Sequence, residues 1–285
     1  MTKESILRSV TLSNTLARAS QGLSLSEKRI ISLALAQINP RQTDSRELAL
    51  AEGFQVDVSA ASYATAFSVS LDMAYAHLKA AGASLPGIEV CYNSNRIRWA
   101  SNARYHSDRG ACLEIQFTKE IAAHLIELPG QFISYKLQDA VGLKSIFAWR
   151  LYECLETWRL KKGWSVSIED FYTAMDATDG YKGDFGSLRT RVIEPAVSGI
   201  KDKYLSLTWK RVKEGRRVTA IQFDFEKPFI SKHGPAGDAP VNKKKPSHES
   251  AREQAMLDQM SDKAAEEEYR KNFPQDFPGD DDDNT

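Results

Sequence analysis

The chain has 285 residues with 38 basic and 38 acidic side chains, a formal net charge of zero, and 42% hydrophobic content. That length holds one to three domains with cores of their own, and the composition is globular. No apolar run approaches a membrane span, no apolar block marks a signal peptide, and Cys91, Cys112 and Cys154 lack paired spacing, so membrane insertion and a disulfide framework are excluded and a cytoplasmic protein is expected.

From the N-terminus, Ser24-Leu25-Ser26-Glu27 is a capping box, in which the Ser hydroxyl and the Glu carboxylate satisfy free N–H groups at a helix start. The helix it opens, to about Ile38, is apolar almost all round (Ile30, Ile31, Leu33, Leu35), which requires burial between other elements. A short helix is expected near Ser59 to Phe67, and Ser70 caps another. In that one Leu71, Ala74, Tyr75 and Leu78 recur at i, i+3, i+4 and i+7 as one core-facing stripe. Arg96 to Trp99 then alternates, Asp108-Arg-Gly110 turns, and Ala111, Leu113, Ile115 and Phe117 return on one face as a hairpin.

Pro129-Gly130 marks a boundary, giving domains at 1–128 and 129–230. After it, Phe147, Leu151, Cys154, Leu155 and Trp158 form a helical stripe, and Trp149 and Tyr152 fall away from it, either packing between domains or forming a second buried face. Ser167 with Asp170 is a second capping box. A third helix from about Phe185 to Lys203 puts Leu188, Val192, Ala196 and Ile200 inward, and Pro195 inside it predicts a kink or break. Leu205, Leu207 and Trp209 alternate, Lys213-Glu-Gly215 turns, and Ile221, Phe223 and Phe225 alternate back. Both halves thus read helix, helix, hairpin.

Charge is uneven along this plan. Residues 181–217 hold ten Lys and Arg against four Asp and Glu, a net of +6. A helix followed by a basic hairpin is the layout of a winged helix, whose helix enters a DNA groove while the wing lies along the phosphates. Residues 231–285 carry a net of −5, end in Asp280 to Asp283, and are rich in Gly, Pro, Lys and Asp. The expected fold class is therefore α+β: two tandem winged-helix domains plus a disordered acidic C-terminal tail over 231–285, with a polar helix allowed at 249–271.

Leu12-Ser-Asn-Thr-Leu-Ala17, Leu25-Ser-Glu-Lys28, Ile133-Ser-Tyr-Lys-Leu137, Arg150-Leu-Tyr-Glu153, Leu188-Arg-Thr-Arg-Val-Ile193-Glu-Pro-Ala, Gly215-Arg-Arg-Val218 and Phe223-Asp-Phe225 occur in that order. On these motifs the chain, over roughly residues 10 to 228, resembles the Rep initiators of iteron-containing plasmids, a family that includes the F plasmid initiator. The resemblance implies two winged-helix domains that bind repeated origin sequences, called iterons, in double-stranded DNA. It also implies monomers that start replication with host initiator and helicase proteins, and homodimers that bind an operator and repress the initiator's own gene. Members often carry a denser basic run in the second recognition helix, whereas Thr190 here separates Arg189 from Arg191.

The residues expected to meet DNA fall into three groups. In the third helix Ser187, Thr190 and Arg191 lie opposite the Leu188/Val192 stripe, Arg189 lies at its edge, and an Arg can bond guanine in bidentate fashion. Lys182 near the helix start is placed for phosphate. In the wing Lys210, Arg211, Lys213, Arg216 and Arg217 are expected to hold phosphates. In the first domain Arg96 and Arg98 alternate outward from Ile97 and Trp99, and His77 and Lys79 lie on the outer face of their helix. The bland counterpart is a solvated helix face and a hairpin edge guarded by charge.

Catalysis, cofactors and metals are not expected. Gly142-Leu-Lys-Ser145 lacks the earlier Gly and the Gly-Lys pair of a phosphate loop, and His77, His106, His124, His233 and His248 include no two at ligand spacing. Two alternatives stay open: a winged-helix transcriptional repressor without an initiation role, and a module whose winged helices bind protein.

Overall fold

In the computed structural model of the chain, residues 8–38, 46–108, 110–126 and 132–226 are described. The expected disordered acidic tail over 231–285, with its polar helix, lies outside them.

The first unit opens with strand β1 (Ser9–Ser13) and helices α1 (Asn14–Arg18), α2 (Leu25–Leu35) and α3 (Arg46–Glu52). Strand β2 (Phe54–Ser59), helices α4 (Ala60–Phe67) and α5 (Leu71–Ser84), and strands β3 (Glu89–Tyr92), β4 (Asn95–Arg98), β5 (Ala100–His106) and β6 (Cys112–Phe117) follow. The capping box forms as its residues dictate: the Ser24 hydroxyl accepts from the Glu27 N–H, and the Glu27 carboxylate accepts from the Ser24 N–H at 2.8 Å. Strands β2, β6 and β5 make an antiparallel sheet in that order. Helix, strand, two helices and a closing hairpin is the winged-helix order, with β3–β4 inserted as an extra ribbon. Gly53, at φ +80°, lets the chain turn into β2, since a Cβ there would lie 2.0 Å from the Phe117 carbonyl oxygen.

Two expectations for this unit are corrected. Arg96 to Trp99 does not pair with 111–117; Asn95–Arg98 pairs with Glu89–Tyr92, and the wing partner of β6 is Ala100–His106. The stripe on α5 is also rotated from the expected one: Ala74, Leu78 and Ala81 are buried, while Leu71 and Tyr75 are 49% and 38% exposed. Close packing explains this. A Cβ added at Gly82 would come within 3.2 Å of the Leu113 side chain and 3.4 Å of the Tyr105 backbone, so the hairpin lies close against the Ala74, Leu78 and Ala81 side of the helix, and Leu71 and Tyr75 fall outside it.

Helix α6 (Lys119–Ile126), strand β7 (Phe132–Lys136) and helix α7 (Leu137–Val141) lead to α8 (Ile146–Glu156). A division at 128/129 puts β7 and α8 in the second unit, yet β7 pairs antiparallel with β1, Ser9 opposite Lys136. The second unit continues with β8 (Gly163–Ser167), α9 (Ile168–Ala174), α10 (Thr178–Tyr181), α11 (Phe185–Leu188), a π-helical segment Arg189–Ile193, α12 (Glu194–Ile200), β9 (Ser206–Glu214) and β10 (Arg217–Glu226). Its sheet order is β8-β10-β9, all antiparallel. The same helix, strand, two-helix, hairpin plan recurs, now with α9 and α11 separated by a segment in which Gly180 and Gly183 take positive φ.

Helix α8 is buried along its whole face set from Ala148 to Glu156, not on one stripe, and Trp149 and Tyr152 are both fully enclosed. It lies between α1 and α12; a Cβ at Gly199 would be 2.9 Å from that of Ala148. Its charges are enclosed too. Lys28 Nζ donates to Glu153 Oε2 and to Gln21 Oε1, both at 2.7 Å, and Arg150 Nη1 lies 3.3 Å from the same carboxylate. Tyr135 donates its hydroxyl proton to Glu153 Oε1 at 2.8 Å. Burial pulls the Lys28 ammonium below the usual lysine range, against the pull of Glu153. No helix among the described residues is long and apolar enough to cross a membrane.

Removing Glu153 would leave Lys28 and Arg150 enclosed without their shared anion. Glu153→Ala is expected to lower unfolding free energy by about 3–5 kcal/mol, read from urea denaturation of the full chain.

Candidate nucleic-acid interface

The run from Phe185 to Ile200 is shaped by Pro195. A proline has no N–H to donate, and its ring crowds the carbonyl four residues back, here that of Arg191. The helix widens ahead of it instead: the Glu194 N–H reaches the Arg189 carbonyl five residues back, and Pro195 then sits in the first turn of α12, where no donor is needed. The expected kink therefore takes the form of a π segment. It carries Arg189, Thr190 and Arg191 on the exposed side, with Val192 and Ile193 buried behind.

The predicted residues on this helix differ in what they have free. Asp184 caps α11, accepting from the Ser187 N–H at 3.0 Å and from the Ser187 hydroxyl at 2.7 Å. Those bonds, with Arg191 adding to them, hold the Asp184 carboxyl below its usual range. The Ser187 proton is thus committed within the protein. Thr190 donates its hydroxyl proton back to the Gly186 carbonyl at 3.1 Å. Arg189 lies 3.6 Å from Glu194 as an exposed pair. Arg191 is exposed, and among the described residues no carboxylate lies within ion-pair distance of it. Lys182 is exposed just ahead of the Asp184 cap.

The wing turns at Gly215 and Arg216, with Gly215 at φ +60° supplying the left-handed conformation that a two-residue hairpin demands. Alternation along β9 splits its cations. Arg211 and Lys213 continue the face of Leu207 and Trp209, and Arg211 stands opposite the buried Ile221, whereas Lys210 points the other way. A register shift between Val218 and Ala220 bends the ribbon there. Lys210, Arg211, Lys213, Arg216 and Arg217 are all exposed, and Arg217 reaches Glu169 of α9 at 3.2 Å. One wing cation is therefore tied to the helix layer.

In the first unit, α5 occupies the place in the element order that the run from α11 to α12 holds in the other. Lys79 is exposed on it, and His77 is half-buried, its Nδ1 3.0 Å from the Tyr63 hydroxyl. Burial lowers the His77 pKa below its usual value, and the nearby Arg29 charge lowers it further. The lowered pKa favours the neutral form of the His77 imidazole. Arg96 and Arg98 are exposed on the inserted β3–β4 ribbon, and Arg96 lies 3.3 Å from Glu89. Arg96 also lines a cavity of about 460 Å³ between the units, with Arg18, Tyr92, Trp164 and Asp170. The true first wing, β5–β6, presents Arg104 instead, which periodicity beside Ala103 and Tyr105 could have revealed.

Sequence reasoning also missed the polar seam between the units: Ser20, Gln21, Lys28, Arg150, Glu153 and Asp176. A signal existed, because Lys28 sits in a helix apolar almost all round, and Arg150 and Glu153 stand among Trp149, Leu151, Tyr152, Cys154 and Leu155.

Residues 9–156 match the family described as "Initiator Replication protein, WH1", and residues 167–225 match "Initiator Rep protein, WH2". Among solved structures, "Crystal structure of Pi initiator protein in complex with iteron DNA" shares the fold, with a TM-score of 0.63 at 21% identity over 78% of this chain and 98% of that one. A search of curated proteins finds no match.

A proton NMR titration should place the His77 midpoint below the free-histidine value of about 6.5. Arg29→Gln should move it upward, since one of the two causes is then gone; an unmoved midpoint would leave burial as the whole cause.

Proposed function

The chain belongs to the initiator Rep family of replication initiators, and from that premise we propose that it binds repeated origin sequences of a plasmid in double-stranded DNA, without catalysis of its own. The observation that carries this reading is the exposed basic surface of the second unit, where the π segment and the wing each present cations that the fold does not consume. The family model matches and the fold shared with an initiator solved on iteron DNA support it.

The two halves divide the work. The helix around Arg191 enters a major groove, and Arg191, with no carboxylate within ion-pair distance among the described residues, bonds a guanine edge. Arg211, Lys213 and Arg216 of the wing hold phosphates and fix register without reading sequence. Lys182 and the start of the reading helix meet a further phosphate. Helix α5 of the first unit enters a second major groove with Lys79 on its exposed side, and His77 contributes as a neutral hydrogen-bonding group. In the same reading, a homodimer occupies an operator and represses the initiator's own gene, and bound monomers recruit host initiator and helicase proteins. Repression without initiation is the second reading, and autonomous replication of a plasmid carrying this gene and its flanking repeats separates the two.

Binding should weaken steeply with salt, by about 10³ or more between 50 and 200 mM if six or more phosphates are held. Arg216→Ala should weaken all duplexes about equally and lower the salt slope by roughly one. Arg191→Ala should instead cost about 1–3 kcal/mol on the preferred sequence and little on others. Fluorescence anisotropy on matched and scrambled duplexes measures both, and identical behaviour of the two variants would end the division of labour.

A further inference from the structure

The seam between the units holds a polar cluster that joins segments of both. Asp176 lies in the turn after α9 at φ +52°, a left-handed conformation seldom taken by a non-glycine residue. Its carboxylate accepts from the Ser20 hydroxyl at 2.5 Å, the Gln21 N–H at 2.9 Å and the Gly22 N–H at 3.3 Å. Successive backbone N–H groups converging on one anion form a nest, which fixes direction as well as distance. Ser20 is itself held in the first unit, exchanging two backbone hydrogen bonds of 2.9 Å with Cys91 of β3. Gln21 is held there too, since its carbonyl accepts from Trp99 Nε1 at 3.0 Å.

Arg150 completes the link. Fully buried, it donates to the Ala174 carbonyl of the second unit at 2.9 Å and to the Ala19 carbonyl of the first, and its Nε lies 3.7 Å from Asp176. One guanidinium therefore grips both units beside the carboxylate that does the same. The Asp176 turn ends α9, the first helix of the pair whose second carries Arg191, and α12 packs directly on the helix that bears Arg150. Apolar contacts allow sliding; these directional bonds do not.

We propose that Asp176, with Arg150 and Ser20, positions the two reading helices relative to each other and so sets the spacing between the two halves of a DNA site that the protein accepts. This deepens the DNA-binding reading and rests on it. Each added base pair moves the second half-site by about 3.4 Å and turns it by roughly 35°. A reader with locked heads fits one spacing, whereas a reader whose heads are hinged at residues 20–22 fits several.

The test uses the full chain and a duplex enriched from a random-sequence pool by the wild-type protein. That duplex is resynthesised with one or two base pairs inserted or removed between the two protected halves. Wild type should lose about tenfold or more in affinity for a single inserted pair, the scale of losing one helix's base contacts. Asp176→Ala should lose less than about threefold across the same change while binding the original duplex more weakly. Asp176→Asn, which keeps the Oδ1 acceptor of the three donors but replaces Oδ2, 3.7 Å from Arg150 Nε, with an amide donor, should fall between wild type and Asp176→Ala. Ser20→Ala runs alongside, with the same flattening in smaller measure, and carries the test if Asp176→Ala does not fold. A profile of unchanged shape in both Asp176→Ala and Ser20→Ala, even with uniformly weaker binding, would overturn the positioning role while leaving DNA recognition intact. A pool that yields no enriched sequence would sink the DNA reading and this inference together.

Discussion

Three enclosed charges, Lys28, Arg150 and Glu153, impose the condition that the rest of the structure meets. An isolated charge in a protein interior is far more costly than a paired one, so each of these must find its partner wherever the chain can supply it. Lys28 comes from the first capped helix, Glu153 and Arg150 from a helix more than a hundred residues later, and the carbonyls of Ala19 and Ala174 from segments on either side. Satisfying them brings α2, α8 and the turn after α9 to one point. The winged-helix units are built outward from there, and α8 serves the interior of both.

That arrangement explains how similar plans carry different surfaces. In the second unit a proline widens the reading helix and turns arginines outward, and the wing overhangs the core far enough to expose cations on both of its faces. In the first unit α5 packs closely on the β5–β6 hairpin through Ala74, Leu78, Ala81 and Gly82, leaving the bulky Leu71, Met73 and Tyr75 exposed. The ribbon that carries Arg96 and Arg98 is an insertion at the seam, not the wing, so its cations border the gap between units.

What was legible in the amino-acid order was what local chemistry decides. The Ser24/Glu27 and Ser167/Asp170 caps, the alternation of Ile221, Phe223 and Phe225, the break ahead of Pro195 and the basic cluster from Lys182 to Arg217 all depend on neighbours within a turn or a strand. What was not legible depends on distant chain. Nothing near Ser9 announces Lys136 as its partner, and nothing in the alternation of residues 96–99 chooses Glu89–Tyr92 over Ala111–Phe117. The α5 stripe failed for a related reason, since its inner face is chosen by how near the hairpin backbone lies, not by which residues are most apolar. At the interface, periodicity found which side chains face outward but not which had already spent their donors, as Ser187 and Thr190 have on Asp184 and Gly186.

The pairing of β1 with β7 has a bearing on how the protein is made. Translation proceeds at about 5–20 residues per second, so roughly 6–25 s pass between the emergence of the first strand and that of its mate. Throughout that interval the first strand has an open edge, and Lys28 still lacks the carboxylate that arrives later yet with Glu153. The nascent first unit thus stays unfinished until β7 and α8 have emerged.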